Sequence, residues 1–185
     1  MTLSNMKIST RLALGFGAMA LLIVLLGLLA WTKLDAMDAH FKLAMEDRYP
    51  KVKAFNAIKA TNSQVALSLR NLILLNDPAE IEAEFALIET ASKSTSDKIE
   101  ELSKIMSTPG GKAGIAKLNE ARAGFRAERE KVTQALRAGD IDKARRVLLG
   151  ELKPKQQAYM AAVDELVNLG GKLMDLSAQQ AEAEA

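Results

Sequence analysis

From Leu12 to Thr32 the chain carries no charged side chain: LALGFGAMALLIVLLGLLAWT. No other feature restricts the possible folds so sharply. Backbone amides and carbonyls in hydrocarbon have no water to bond. An apolar run of about 20 residues, enough to cross a bilayer, is stable there only as a helix. The flanks set the direction. The polar lead, residues 1–11, carries Lys7 and Arg11 and no acidic residue, which predicts that it stays in the cytoplasm while everything from Lys33 goes outward. Trp31 falls at the far end, where an amphipathic ring suits the headgroup layer. A cleaved signal peptide should have a shorter apolar region and a small-x-small site behind it, and none follows Trp31. Residues 12–32 are therefore expected to be an uncleaved anchor in the inner (cytoplasmic) membrane. Residues 33–185 are expected to be a periplasmic domain.

That domain reads as helix throughout. Lys33 to Asn76 forms a first long helix, with a kink or brief break expected at Tyr49-Pro50. Its apolar seam is Phe55, Ile58, Asn62, Val65, Leu69 and Leu72, in alternating steps of three and four. Asn76-Asp77-Pro78 is a turn, with Asp77 placed to cap the next helix and Pro78 suited to its first position. The second seam is Ile81, Phe85, Ile88, Ser92, Thr95, Ile99, Leu102 and Met106, broken by STPGG at Ser107 to Gly111. The third runs Ile115, Leu118, Arg122, Phe125, Arg129, Val132 and Leu136 and stops at Gly139. Asp140 caps a short helix running toward Gly150. A last helix from about Pro154 carries Tyr159, Ala162, Leu166, Leu169, Leu173 and Leu176. The expected fold is all-α: a transmembrane helix continuing into an antiparallel up-down-up-down four-helix bundle.

Each seam loses its hydrophobicity over one short interval, at Asn62, at Ser92 and Thr95, at Arg122 and Arg129, and at Tyr159. At about 1.5 Å of rise per residue, the residues of the first three helices lie roughly 15 to 26 Å below the membrane-distal turns, and Tyr159 comes to a comparable depth if the segment after Asp140 packs as part of the fourth helix. Taken singly, each has a structural reading. Seam hydroxyls bond the carbonyl one turn back, a seam Asn fixes register, a Tyr packs with its hydroxyl outward, and arginines snorkel toward Glu128 or Glu130. Together they read differently. Guanidiniums keep their protons, and two buried cations with no seam Asp or Glu at that level would cost several kcal/mol each. An anionic ligand resolves the conflict. Arg122 and Arg129 can each fork onto a carboxylate, Ser92, Thr95, Tyr159 and Asn62 can complete the hydrogen bonding, and Phe125 would floor the pocket. Arg70 and Arg126, one position off their seams, are weaker candidates. The spread favours a di- or tricarboxylic acid.

Other chemistries find no support. The 25 basic and 23 acidic residues leave a formal net charge of +2 and are interspersed as on solvated helix faces, which gives no case for nucleic acid. Without cysteine there is no disulfide, thiolate nucleophile, thiolate metal site or haem attachment. His40 is the only histidine and belongs to no E-x-x-H pair, so it reads as a surface residue. Glu80, Glu82 and Glu84 form an acidic patch that complements a helix start. No enzyme, cofactor or metal site is expected.

The start MKISTRLALGFGAMALL is similar to the cytoplasmic edge and first span of bacterial methyl-accepting chemotaxis proteins. LRNLILLNDP, ARAGFRAEREKV, AGDIDKARRVL and KPKQQAYMAAVDELV resemble, in order and spacing, the four-helix-bundle sensor domain of those receptors. The resemblance implies a periplasmic sensor of small organic acids or amino acids, working as a homo-oligomer, usually a dimer. A full-length receptor of this kind engages a cytoplasmic chemotaxis kinase and adaptor. In its amino-acid receptors the ligand-binding arginines lie on the first bundle helix, which here offers only Arg48 and Arg70. The third-helix arginines look more like members that bind di- and tricarboxylic acids within one bundle. Ser92, Thr95 and Tyr159 match the hydroxyl pair and tyrosine of those members by position. The second span, linker domain and methylated cytoplasmic hairpin of the family lie outside these 185 residues, so the chain is expected to be a fragment or a truncated product. A histidine-kinase or cyclase sensor of the same shape, and a ligand-free structural bundle, are the rival readings.

Overall fold

The computed structural model describes residues 7–184, and their regular structure is helical without a strand. Helix α1 spans Ile8–Lys42, and α2 spans Tyr49–Leu74. Between them Leu43–Arg48 is π-helical, so the three segments run on as one helix. The break expected at Tyr49-Pro50 is therefore absent. Proline removes one amide and pushes its ring against the carbonyl four residues back, here Glu46. The wider π-helical turn around Glu46 makes room for that ring.

The same device recurs near the C-terminus. Helix α5 is Ile141–Val147, a second π-helical turn covers Leu148–Leu152, and α6 is Lys153–Glu184. The carbonyl facing Pro154 belongs to Gly150, inside that turn. The short helix and the separate last helix expected from the sequence are thus one continuous fourth bundle helix.

The remaining boundaries follow their capping chemistry. Helix α3, Pro78–Ile105, begins with the Asp77 carboxylate accepting from the amides of Ala79 at 2.7 Å and Glu80 at 3.4 Å. Helix α4, Pro109–Arg137, begins with the Thr108 hydroxyl accepting from the Gly111 amide at 3.1 Å. Only 106–108 lie outside the helices there, so Pro109, Gly110 and Gly111 of STPGG form a first turn rather than a break. Gly139 closes α4 at φ 74°, a conformation open to glycine without a Cβ penalty. Asp140 then accepts from the Lys143 amide at 2.9 Å.

The four bundle helices bury one continuous core, with Phe55, Ile58, Leu69, Leu118, Val132, Leu152, Val163 and Leu166 at its centre. Helix α2 packs closely on α3 and α6, and α4 packs closely on α6, whereas α3 and α4 meet sparsely. One seam assignment shifts. Leu176 is exposed, and Ser177 is buried in its place beneath Arg48, whose guanidinium donates to the Ser177 hydroxyl and the Leu173 carbonyl. Among the described residues one helix is long and apolar enough to cross a membrane. Its side chains from Leu12 to Leu34 are exposed rather than packed on the bundle.

Candidate functional site

The polar intervals of the four seams converge. Asn62, Val65, Ser92, Thr95, Arg122, Phe125, Arg126, Arg129 and Tyr159 line a single cavity of about 20 Å³. Every residue singled out from the sequence is there except Arg70. That side chain is exposed on α2, because the helical turn of about 100° per residue carries it off the seam from buried Leu69.

Two walls of the cavity differ in chemistry. On the α3–α4 side, Arg122 donates to the Ser96 hydroxyl at 2.6 Å and the Ser92 carbonyl at 3.2 Å, and Arg129 donates to the Ser92 hydroxyl. Both α3 seam hydroxyls also donate to their own helix, Ser92 to Ile88 at 2.6 Å and Thr95 to Ala91 at 2.8 Å. The arginines thus rest on neutral acceptors, and neither makes an ion pair among the described residues. Glu128 pairs with Lys131 at 2.8 Å instead, and Glu130 accepts from Gln134 at 3.1 Å. Burial pushes both guanidinium pKa values down. Arg126 lowers both further, and Arg122 also lowers that of Arg129, since cations in one place repel.

On the α2–α6 side, Asn62 and Tyr159 are 4% and 2% exposed. Neither the Asn62 amide nor the Tyr159 hydroxyl has a hydrogen-bond partner of normal geometry among the described residues. Burial pushes the phenol up to about 12, opposed by the charge of the neighbouring Arg122 guanidinium and by its approach to the phenol oxygen. The Tyr159 ring is fixed by Phe125, with centroids 5.6 Å apart and planes tilted by 33°. An unmade buried hydrogen bond costs about 1–3 kcal/mol, so three orphaned polar atoms around one cavity are a poor structural solution and a good binding one.

Outside this cavity, where α3 and α4 part, a groove of about 510 Å³ opens beside Ser92, Ser96, Arg126 and Arg129. The two share Ser92, Arg126 and Arg129 in their linings. Ser96 escaped the sequence reading because it lies one position past the α3 seam, and only the crossing of Arg122 from α4 brings it in. The i, i+4 spacing of Ser92 and Ser96 was the available signal. Two other expectations change. Glu84 leaves the acidic patch to accept from Asn71 at 2.7 Å, and His40 is half-buried.

Among the described residues no three His, Asp or Glu side chains come together as metal ligands. The convergent groups are hydrogen-bond donors and cations, a set that complements a small anion. Residues 5–185 match a family described as a four helix bundle sensory module for signal transduction. No curated protein matches the chain.

Proposed function

This chain belongs to the four-helix-bundle sensory modules of methyl-accepting chemotaxis proteins, and we propose that it senses a small organic anion, a di- or tricarboxylic acid, in the periplasm. The observation that carries this reading is the pairing of two half-buried guanidiniums that lack a carboxylate with the orphaned polar atoms of Asn62 and Tyr159. A carboxylate entering between the walls gives Arg122 and Arg129 an acceptor of opposite charge that can be held bidentately, a stronger partner than the neutral serine oxygens they rest on. Its remaining oxygens accept from Asn62, Thr95 and Tyr159. Such a module is a sensory rather than a catalytic domain, and the ligand leaves unchanged.

The inner cavity, about 20 Å³, holds no more than a water molecule, so binding requires α3 and α4 to move. Because α4 packs on α6 and α6 packs on α1 and α2, a shift of α4 is passed to the helices that meet the membrane. In this reading α1 anchors the module, with its N-terminus cytoplasmic, and the assembly is a dimer.

The test is a thermal-shift and calorimetric screen of the full chain in detergent with di- and tricarboxylates. Ligand at a hundredfold excess over Kd should add about 2.7 kcal/mol of stability. A panel that leaves the melting temperature unmoved removes the ligand reading. A reporter fused after Ala185 checks orientation, since activity of a cytoplasm-only reporter there contradicts a periplasmic domain.

A further inference from the structure

We propose that the α3–α4 groove is the outer half of the ligand site, and that it selects extended dicarboxylates with an apolar spacer over compact ones. The inference rests on the anion reading of the inner cavity and adds to it a second anchor and a size class.

Three rungs cross from α4 to α3 in antiparallel register. Arg122 reaches Ser96, Arg129 reaches Ser92, and the Arg137 guanidinium lies over the Phe85 ring, 4.2 Å from its centroid. The groove runs from Ser96 of the first rung past the middle rung to the third. Lys93, Arg126, Arg129 and Arg137 face it against the carboxylates of Glu89 and Glu130, four cations to two anions. Arg126 and Arg137 have no ion pair among the described residues and are exposed, so both are free to turn onto a ligand. Between the middle and third rungs the lining is Ile88 and Thr133 flanked by Glu89 and Glu130, with Phe85 at the far end.

This alternation sets the ligand's shape. Arg129 and Arg137 are eight residues apart, about 12 Å along the helix axis. One carboxylate on Arg122 and Arg129 places the ligand body against Ile88 and Thr133, and a second carboxylate then meets Arg137. A compact diacid fills only the inner site and leaves Arg137 on Phe85. The groove volume of about 510 Å³ admits the longer molecule, whereas the inner cavity alone does not.

The experiment is calorimetry on the full chain in detergent with succinate, adipate, suberate, sebacate and the monoacid octanoate, using wild type and Arg137→Gln. Suberate should bind about tenfold more tightly than succinate and than octanoate, because only it gives Arg137 a charge-assisted bond. Arg137→Gln should lower suberate affinity about tenfold, to the level of octanoate, and leave succinate unchanged. Arg137 is exposed, and a far-UV circular dichroism spectrum confirms that the variant keeps its helices. Succinate binding as tightly as suberate, or a variant that weakens both diacids equally or neither, overturns the groove proposal while the inner site stands. Failure of every diacid to bind overturns both.

Discussion

The interface of α2 with α6 and that of α3 with α4 close the same bundle by opposite means. Between α2 and α6 the surfaces are matched in shape. Phe55, Ile58 and Leu166 are buried there, and Gly170 sits so close to Val52 that a Cβ would collide with the valine methyl. Lys59 and Asp164 pair across the same interface at 2.6 Å. Between α3 and α4 the gap is spanned by long arginine side chains resting on hydroxyls and an aromatic face. The first interface resists displacement, because dense cores have few alternative packings. The second is held by guanidinium bonds to neutral oxygens and an aromatic face, partners that an anion can replace with an acceptor of opposite charge. On the anion-sensing reading proposed above, the first side would pass on a shift that the second admits.

The largest effect should come from breaking the shape-matched side. Phe55→Ala removes a ring that is 1% exposed and should lower unfolding stability by about 3–5 kcal/mol, read from urea denaturation followed by circular dichroism. Ser96→Ala on the other side should cost less, about 1.5–3 kcal/mol in the same assay, because Ser96 accepts from the Arg122 guanidinium. Equal losses would mean that the two interfaces are alike after all.

Arginine-to-methionine changes sharpen the contrast, because the same substitution should act with opposite sign at two places. Arg129→Met fills the seam and removes a cation repelled by Arg122 and Arg126, so the ligand-free chain should be as stable as before or more so. Affinity for a bound dicarboxylate should fall by about 2–5 kcal/mol. Arg48→Met strips the buried Ser177 hydroxyl and the Leu173 carbonyl of their donor and should destabilise by about 1–3 kcal/mol with affinity kept. A melting temperature that drops for Arg129→Met while binding survives would make that arginine structural.

Gly170→Ala tests the tight contact directly. Alanine gains about 1 kcal/mol of helix propensity over glycine, yet overpacking against Val52 costs about 1–3 kcal/mol, so net stability should hold level or fall. A clear gain would show that the helices have room to separate.

The smallest effect concerns Tyr159. Its phenol is raised to about 12 in the fold, against about 10 when unfolded. The neutral form is therefore favoured in the folded state, and the stabilisation is complete below pH 10 and lost as pH rises toward 12. Tyr159→Phe should flatten that alkaline limb relative to wild type. At neutral pH it should leave ligand-free stability within about 1 kcal/mol of wild type, since the hydroxyl it deletes is buried with no hydrogen bond of normal geometry but lies beside the Arg122 guanidinium. Urea titrations of both chains at pH 9 and 11 read the two effects separately.

What was legible in the sequence was whatever local physics dictates. The uncharged run at Leu12–Thr32 admits only a helix, the period of three and four residues marks each buried face, and Asp77, Gly139 and Asp140 stand where caps and C-termini need them. The level of Asn62, Arg122, Arg129 and Tyr159 was legible for the same reason, because helical rise converts residue count into height. The break allowed for at Pro50 and the helix start expected near Pro154 are both absent, because a π-helical turn is a cooperative adjustment of several residues that no local propensity at either proline announces. Leu176 lost its seam position to Ser177 because Arg48, more than a hundred residues earlier, needed an acceptor there.

The tertiary structure alone decided how the two interfaces differ. Seam periodicity reports that a face is buried but not how near its neighbour lies, and α3 and α4 carry seams as regular as those of α2 and α6. The gap between them, the reach of Arg122 to Ser96 and the seat of Arg137 on Phe85 depend on the register of one helix against another. That register is set by packing summed over the whole bundle. It is a property of no single segment, and it turns a row of polar seam residues into a candidate pocket with a mouth.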